Sequence, residues 1–360
     1  METCNRFSLA SVPHVLRRPG RLGLIALAAI AFVSASAAAP APSVPPYLEG
    51  YAALYQRSPH QAALHWFADA RYGLMVHYCL ASILDQGKEG YLAMKNADQT
   101  LFNRFTAAEF DAAKIADLAV GAGMKYVNFT TEHLGGMAMW DSAVSEFNSV
   151  RSPAHRDLTA ELAQACARRK LGFFVYVPPD TSRTDGAFFA KNQRILTELL
   201  TRYGPIAGVW FDGVAGLHTH PERYTQTQEL YALVRRLQPQ CLVSWKSSAD
   251  GTDFLAPEHT VDDLPYRYPR MPIEVCTTMQ KCRRRDLGPD RTAWINNEAT
   301  AHLSAEEVVM MVRELQLARA TNILINLGLR GDGSIHPKDE KALRAAASEL
   351  ASVAAPRKRL

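Results

Sequence analysis

The sequence predicts a (β/α)8 barrel, and three observations carry that expectation. Apolar segments recur along the chain, each followed by a segment with one apolar helical face. About seven or eight such units fit within about 280 residues, the size of one barrel. The first strand is not followed by a glycine-rich phosphate turn, which weighs against a doubly wound open sheet. Strands that are apolar throughout imply a parallel sheet covered on both faces.

Residues 40–64 read as a Pro-rich linker and N-terminal segment, and residues 65–355 as the barrel. Tyr72–Cys79 is the first strand. Ala107–Ala119 is predicted as a helix, with Phe110, Ile115, Leu118 and Ala119 on one face. The strand Tyr126–Thr131 precedes a helix over Leu158–Arg169, for which Asp157 is a natural N-cap. Leu171–Val177 is a strand stopped by Pro178 and Pro179. The alternation continues with a helix at Phe188–Tyr203, a strand at Gly208–Phe211, a helix at Arg223–Leu237 and a strand at Cys241–Trp245. Val275–Met279 is a further strand. A helix over Glu306–Ala320, the strand Asn322–Leu327 and the helix Lys338–Leu350 complete the pattern.

Composition narrows the function. Of the 360 residues 48% are hydrophobic and 21% charged, which is globular usage. The formal charge is +4. Residues 1–39 hold Arg6, Arg17, Arg18 and Arg21 against Glu2, so the body is nearly neutral. A neutral body argues against nucleic acid, which demands many phosphate contacts. Arg17, Arg18 and Arg21 precede an apolar run from Leu22 to Val33, then small residues to Ala39. That is the pattern of a secretory signal peptide over residues 1–39, and it points to a periplasmic or secreted protein. The apolar run is too short to span a bilayer, so no stable membrane span is expected after cleavage. Cys79, Cys166, Cys241, Cys276 and Cys282 then remain. Their spacing matches no zinc pattern, and buried apolar thiols are the expectation for Cys79, Cys166 and Cys241.

In a barrel, chemistry gathers where strands end. The strand ends here offer His77 and Tyr78, then Thr130 to His133, then Tyr176 and Asp180. They continue with Asp212, with Lys246, and with Asp253 and Glu258 in the following loop. No Gly-x-Ser-x-Gly elbow and no HExxH zinc helix is present. Asp212 closes the apolar run Val209-Trp210-Phe211, and Gly213 opens the turn. A carboxylate there serves as a helix N-cap, an ion-pair partner or a catalytic group. Glu258 is the best placed second carboxylate. Two carboxyls facing each other across a sugar are the machinery of glycoside hydrolysis. Trp140, Trp210 and Trp245 are candidates for a platform under the sugar, although the barrel interior suits Trp210 better.

At these motifs the chain resembles the α-L-fucosidases of glycoside hydrolase family 29. Trp66-Phe67 followed by Tyr72 to His77 resembles the family's first strand. Thr130-Thr131-Glu132-His133, then Trp140-Asp141-Ser142, resembles the paired-histidine segment. Tyr203-Gly204-Pro205 with Trp210-Phe211-Asp212-Gly213 resembles the nucleophile strand. Asp253-Phe254 with Pro257-Glu258, Glu274-x-Cys276 with Thr278-Met279, and Asn322 to Gly328 with Asp332-Gly333 match later segments in order.

The resemblance implies a retaining, exo-acting hydrolase of terminal fucose that needs no metal or organic cofactor. Asp212 would be the nucleophile and Glu258 the acid/base. His77, Glu89, His133, Tyr176, Trp210 and Lys246 would bind substrate. Several positions depart from the family. Leu134 stands where the second histidine is usual, Gly90 where a tryptophan follows the binding glutamate, and Lys246 where an arginine is usual. Lys281-Cys282-Arg283-Arg284-Arg285 replaces an aromatic-rich motif. A site that loses polar partners loses affinity for the hydroxyls they held. Two alternatives follow: a glycosidase of the same family acting on another sugar, and a non-catalytic glycan-binding barrel. No C-terminal β-sandwich of the family is expected, since the last predicted barrel helix ends near residue 350.

Overall fold

A computed structural model describes residues 43–87, 98–133, 135–179, 186–213, 221–246, 248, 250–280 and 294–351. The predicted signal peptide therefore lies outside the described residues. Among them, seven parallel strands form one sheet in the order β5-β4-β3-β2-β1-β7-β6. These are β1 (Tyr72–His77), β2 (Tyr126–Thr130), β3 (Gly172–Val177), β4 (Gly208–Phe211), β5 (Leu242–Trp245), β6 (Glu274–Thr278) and β7 (Asn322–Gly328).

An irregular stave, residues 253–258, joins the two edges. Its Asp253 and Ala256 amides donate to the Val243 and Lys246 carbonyls on one side. On the other side the Glu274 amide donates to the Leu255 carbonyl, and Leu255 and Glu258 bridge in parallel to Ile273 and Cys276. The expected (β/α)8-type barrel is thus observed, closed by this eighth segment rather than by a regular strand.

Among the described residues the longer helices are α1 (Pro59–Ala70), α2 (Ala112–Gly121), α3 (Leu158–Arg168), α4 (Gly186–Arg202), α5 (Pro221–Leu237), α6 (Ala305–Leu317) and α7 (Pro337–Leu350). Asp157 caps α3 as expected, accepting from the Ala160 amide at 2.8 Å. The helix expected from Ala107 begins only at Ala112. Ala107 sits at φ 45°, outside the helical region, and Asp111 takes the cap by accepting from the Lys114 amide at 2.9 Å. Phe110 instead packs in the preceding loop against Tyr78 and Phe129.

Two apolar layers hold the barrel. The outer layer lies between sheet and helices and includes Val127, Val175, Val209, Phe211 and Val243. The inner layer fills the barrel with Met75, Tyr126, Phe174, Tyr176, Trp210 and Leu324. Helix α1 seals the end where the strands begin. Its Phe67 ring lies 4.5 Å from Phe254 and 6.0 Å from Phe174, and its carbonyl accepts from Asn322 Nδ2 at 2.9 Å. Past the Pro-rich stretch, the N-terminal segment forms a 3-10 helix over Pro46–Tyr51 and a short α-helix over Ala52–Tyr55. Cys79, Cys166 and Cys241 are buried free thiols, as expected, and so is Cys276.

Candidate active site

Strand alternation aims side chains two apart to the same face. On β4 this sends Trp210 and then Asp212 inward, Asp212 lying one step past the strand at the open mouth. The Asp212 amide still donates to the Val177 carbonyl at 3.2 Å, so the residue keeps barrel register. Gly213 turns the chain at φ 80°, and its amide donates to Asp212 Oδ1 at 2.6 Å. On β3 the same alternation brings Tyr176 beside Trp210, and the Tyr176 hydroxyl donates to Asp212 Oδ2.

Lys246 follows β5 at φ 47°, a left-handed conformation unusual for a residue with a Cβ. Its ammonium lies 3.2 Å from Asp212 Oδ1, contacts Glu258 Oε1 and sits 5.0 Å from the centre of the Trp210 ring. Glu258 reaches this point because it ends the closing stave. The Cys276 amide donates to the Pro257 carbonyl, and the His259 amide donates to the Cys276 carbonyl. One ammonium touching both carboxylates keeps their nearest oxygens within about 6 Å of one another, by hydrogen-bond reach.

Burial by itself raises the pKa of Asp212, but the Lys246 charge, the Tyr176 hydroxyl and the Gly213 amide pull it below the ordinary value. Burial pulls Lys246 down, but Asp212 and Glu258 hold it well above the usual lysine range. Asp212 is therefore an anion and Lys246 a cation at neutral pH.

His77 ends β1 and is neutral. Burial is the largest cause, with His133 second. Its Nδ1 donates to Asn326 Oδ1 at 2.6 Å, while the Asn326 amide donates to the Trp294 carbonyl at 2.9 Å. That chain fixes the proton on Nδ1 and leaves Nε2 as an acceptor. His133 lies edge-on to His77 at 4.9 Å and 5.5 Å from the Tyr176 ring. Burial pushes its pKa down to about 4.

Asp212, Glu258, His77, His133, Tyr176 and Lys246 thus meet at one mouth. Glu89 and Asp180 lie outside the described residues. Trp210 departs from its expected contact with substrate: it is 1% exposed and lies beneath the polar group. The expected tryptophan platform does not form. The Trp140 indole donates to Glu198 on α4, and Trp245 stacks on Phe211 in the outer layer. Asp253 also faces away from the mouth, bonding His60 and the Val243 amide.

Two residues were missed from sequence. Trp294 stacks on His259 at 5.3 Å and packs at 5.5 Å from His77, so a half-buried aromatic face borders the mouth. It follows the arginine run, with no strand to announce it. Glu274 accepts from Tyr126 and Trp210 inside the barrel. Its signal was a charged residue at an inward position of an apolar strand.

Among the described residues one cluster has metal-type side chains, His302, His336 and Asp339, whose ligand atoms lie within 4.8 Å of one another. The two imidazoles stack nearly parallel, 3.9 Å apart and 17° between planes. His302 bonds Asp339 at 2.6 Å, and His336 caps α7 by accepting from the Lys338 amide. These contacts brace the loop rather than form a coordination shell.

The architecture is a parallel barrel with a lysine-bridged pair of carboxylates at its mouth. The alpha-L-fucosidase family model matches residues 48–352, and the chain belongs to that family. It is 26% identical to rat tissue alpha-L-fucosidase over 321 residues, covering 78% of this chain and 66% of that protein. It is 28% identical to rat plasma alpha-L-fucosidase over 326 residues, covering 78% and 67%. The chain spans just under two thirds of the length of the rat and bovine tissue enzymes. Alpha-L-fucosidase AlfC from Lactobacillus casei, solved with its α-L-fucose product, aligns with a TM-score of 0.66 at 25% identity. That alignment covers 81% of this chain and 98% of AlfC. Alpha-L-fucosidase isoenzyme 1 from Paenibacillus thiaminolyticus shares the fold, with a TM-score of 0.69 at 22% identity over 82% and 76% of the two chains.

Proposed function

We propose that the chain is an exo-acting, retaining α-L-fucosidase that removes terminal fucose from glycans. The observation that carries this reading is the grip on Asp212. Lys246, Tyr176 and Gly213 keep it ionised at the end of β4, with Glu258 on the same ammonium. A carboxyl separation of about 5–5.5 Å belongs to retaining glycosidases, and one of about 6.5–9.5 Å to inverting ones. A shared ammonium supports the shorter class.

In this reading Asp212 Oδ attacks the anomeric carbon while the Glu258 carboxyl gives its proton to the departing glycosidic oxygen. The bond to the aglycone breaks, and a fucosyl ester forms on Asp212. Glu258, now a carboxylate, takes a proton from water. The hydroxide attacks the same carbon and frees Asp212. His77 Nε2, held bare by the Asn326 bond, accepts from a sugar hydroxyl. The Tyr176 hydroxyl donates to Asp212 before attack and is placed to follow the charge as the ester forms. Trp294 offers an aromatic face to the apolar side of the sugar. The basic and apolar leader over residues 17–39 supports export, which N-terminal sequencing of the protein from the producing cell tests.

A mutant of AlfC has been solved with 4-nitrophenyl α-L-fucopyranoside, which makes that compound the first probe here. Wild type is expected to release 4-nitrophenol. Asp212→Gly is expected to lose at least about 10³-fold of this rate, the order seen when a nucleophile is removed. Azide should restore turnover in the variant by forming a fucosyl azide of inverted configuration. Full activity in Asp212→Gly overturns the assignment. Faster release from another aryl glycoside moves the reading to a different sugar, and binding without release moves it to a glycan-binding barrel.

A further inference from the structure

Glu274 is a carboxylate in the middle of the barrel, 1% exposed. Oε2 accepts from the Tyr126 hydroxyl at 2.5 Å and Oε1 from the Trp210 indole N–H at 3.0 Å. Burial pushes its pKa up to about 7, against the pull of those two donors. A buried carboxylate is costly, and an apolar side chain would fill the same space without that cost. The proposed chemistry makes no use of this group.

What Glu274 holds is the indole, and the indole is where the grip on Asp212 rests. The Lys246 ammonium sits 5.0 Å from the centre of the Trp210 ring. The Tyr176 ring stacks on the same indole at 5.4 Å with 21° between planes. Among the described residues, Lys246 and Tyr176 bond the Asp212 carboxylate through their side chains. Trp210 itself is inside the barrel and has no exposed face to offer a sugar. Packing confines the indole, and the bond to Glu274 sets the direction of its N–H edge within that packing. Rotation would carry away the stacking surface of Tyr176 and the ring face under Lys246 together.

We propose that Glu274 is a positioning residue for this site: through the Trp210 indole it fixes the seat on which Lys246 and Tyr176 hold Asp212. The inference rests on the reading of Asp212 as nucleophile. It assigns Trp210 and Glu274 to the support of that nucleophile and not to contact with the sugar.

The test measures two things in wild type, Glu274→Gln, Glu274→Leu and Trp210→Phe. One is the pH profile of kcat/KM for 4-nitrophenyl α-L-fucoside. The other is the titration of the Asp212 carboxyl carbon by 13C NMR, assigned by its loss in Asp212→Asn. Among the described residues, the groups facing Asp212 include Lys246, Tyr176, His133, His77 and the buried Cys276 thiol of β6, with Glu258 on the same ammonium. Only the grip of Lys246 and Tyr176 is expected to change. In Glu274→Leu the acid limb and the NMR midpoint should both rise by about one pH unit, as for partial loss of an opposite charge. Its kcat should fall roughly tenfold or more, with less change in KM. Glu274→Gln should stay near wild type, because its Oε1 still accepts from Trp210 and its amide donates to the Tyr126 oxygen. Trp210→Phe keeps a ring but deletes the N–H, so it should shift the midpoint in the same direction. It decides the matter if Glu274→Leu does not fold.

A folded Glu274→Leu or Trp210→Phe in which Asp212 titrates as in wild type overturns the proposal. So does a Glu274→Gln shifted as far as Glu274→Leu, since lost packing would then suffice. If wild type cleaves no glycoside, the nucleophile reading fails by itself, and the NMR midpoints still decide whether Glu274 positions Asp212.

Discussion

Lys246 carries the charge balance of the mouth. Its backbone occupies the left-handed region at φ 47°, which costs a side-chain-bearing residue about 1 kcal/mol or more. That turn sets its ammonium between Asp212 and Glu258. Asp212 must be ionised to attack, so activity falls as pH drops through its depressed pKa. Lys246→Met removes the main favourable charge and leaves the burial, so the acid limb of kcat/KM should move upward by about one to three units. A pH–rate profile unchanged at its acid end would show that Lys246 does not set the ionisation of Asp212. Asp212 was legible as a candidate because it closes an apolar strand and falls where the resemblance puts the nucleophile. The depth of Trp210 was less so. Alternation puts Trp210 and Asp212 on the same inward face, but two residues of strand separate them by about 6.6 Å of depth. That step separates the mouth from the core, and sequence period carries no depth. Glu274 stayed hidden for the same reason, as an inward residue whose partners come from β2 and β4.

The elements were legible to the extent that they are buried on both faces. β1 to β7 read as apolar runs because inner and outer layers both exclude water. The closing stave at 253–258 did not, since Asp253, Pro257 and Glu258 interrupt it and its bonds come from two edges at once. The 294–296 segment, which brings Trp294 to the mouth, depends on a close approach to β7. A Cβ on Gly328 would lie 2.6 Å from the Asn296 nitrogen and 2.8 Å from the Trp294 oxygen, both backbone atoms. Backbone on both sides cannot yield as a flexible side chain would. Gly328→Ala should therefore destabilise the fold by about 1–3 kcal/mol. It should also raise KM more than it lowers kcat, since Trp294 borders the sugar space and does not touch Asp212. Urea denaturation with kinetics on the same preparation checks both parts, and wild-type values in each would refute the argument.

At the scale of the whole molecule, the barrel needs a floor as much as a mouth. Side chains of β2, β3 and the closing stave converge at the end where the strands begin, and α1 covers them with Trp66 and Phe67. The alanines Ala62, Ala63 and Ala70 let the helix approach closely. They also made it read as an unremarkable lead-in, because small residues give little periodic contrast. The mouth chemistry sits on the same inner column. From floor to mouth it runs through Phe67, Phe174 and Tyr126, then Glu274 and Trp210, then Tyr176, Lys246 and Asp212. A void at the floor therefore removes support from below the indole. Phe67→Ala should cost about 3–5 kcal/mol, the range for deleting a buried aromatic. A chain shortened to begin at His65 loses the first turns of α1 together with everything before them. It should lack a cooperative unfolding transition that the full chain shows by circular dichroism. If the shortened chain melts cooperatively near the full-length temperature, the floor is dispensable and the column is held from the outer layer alone.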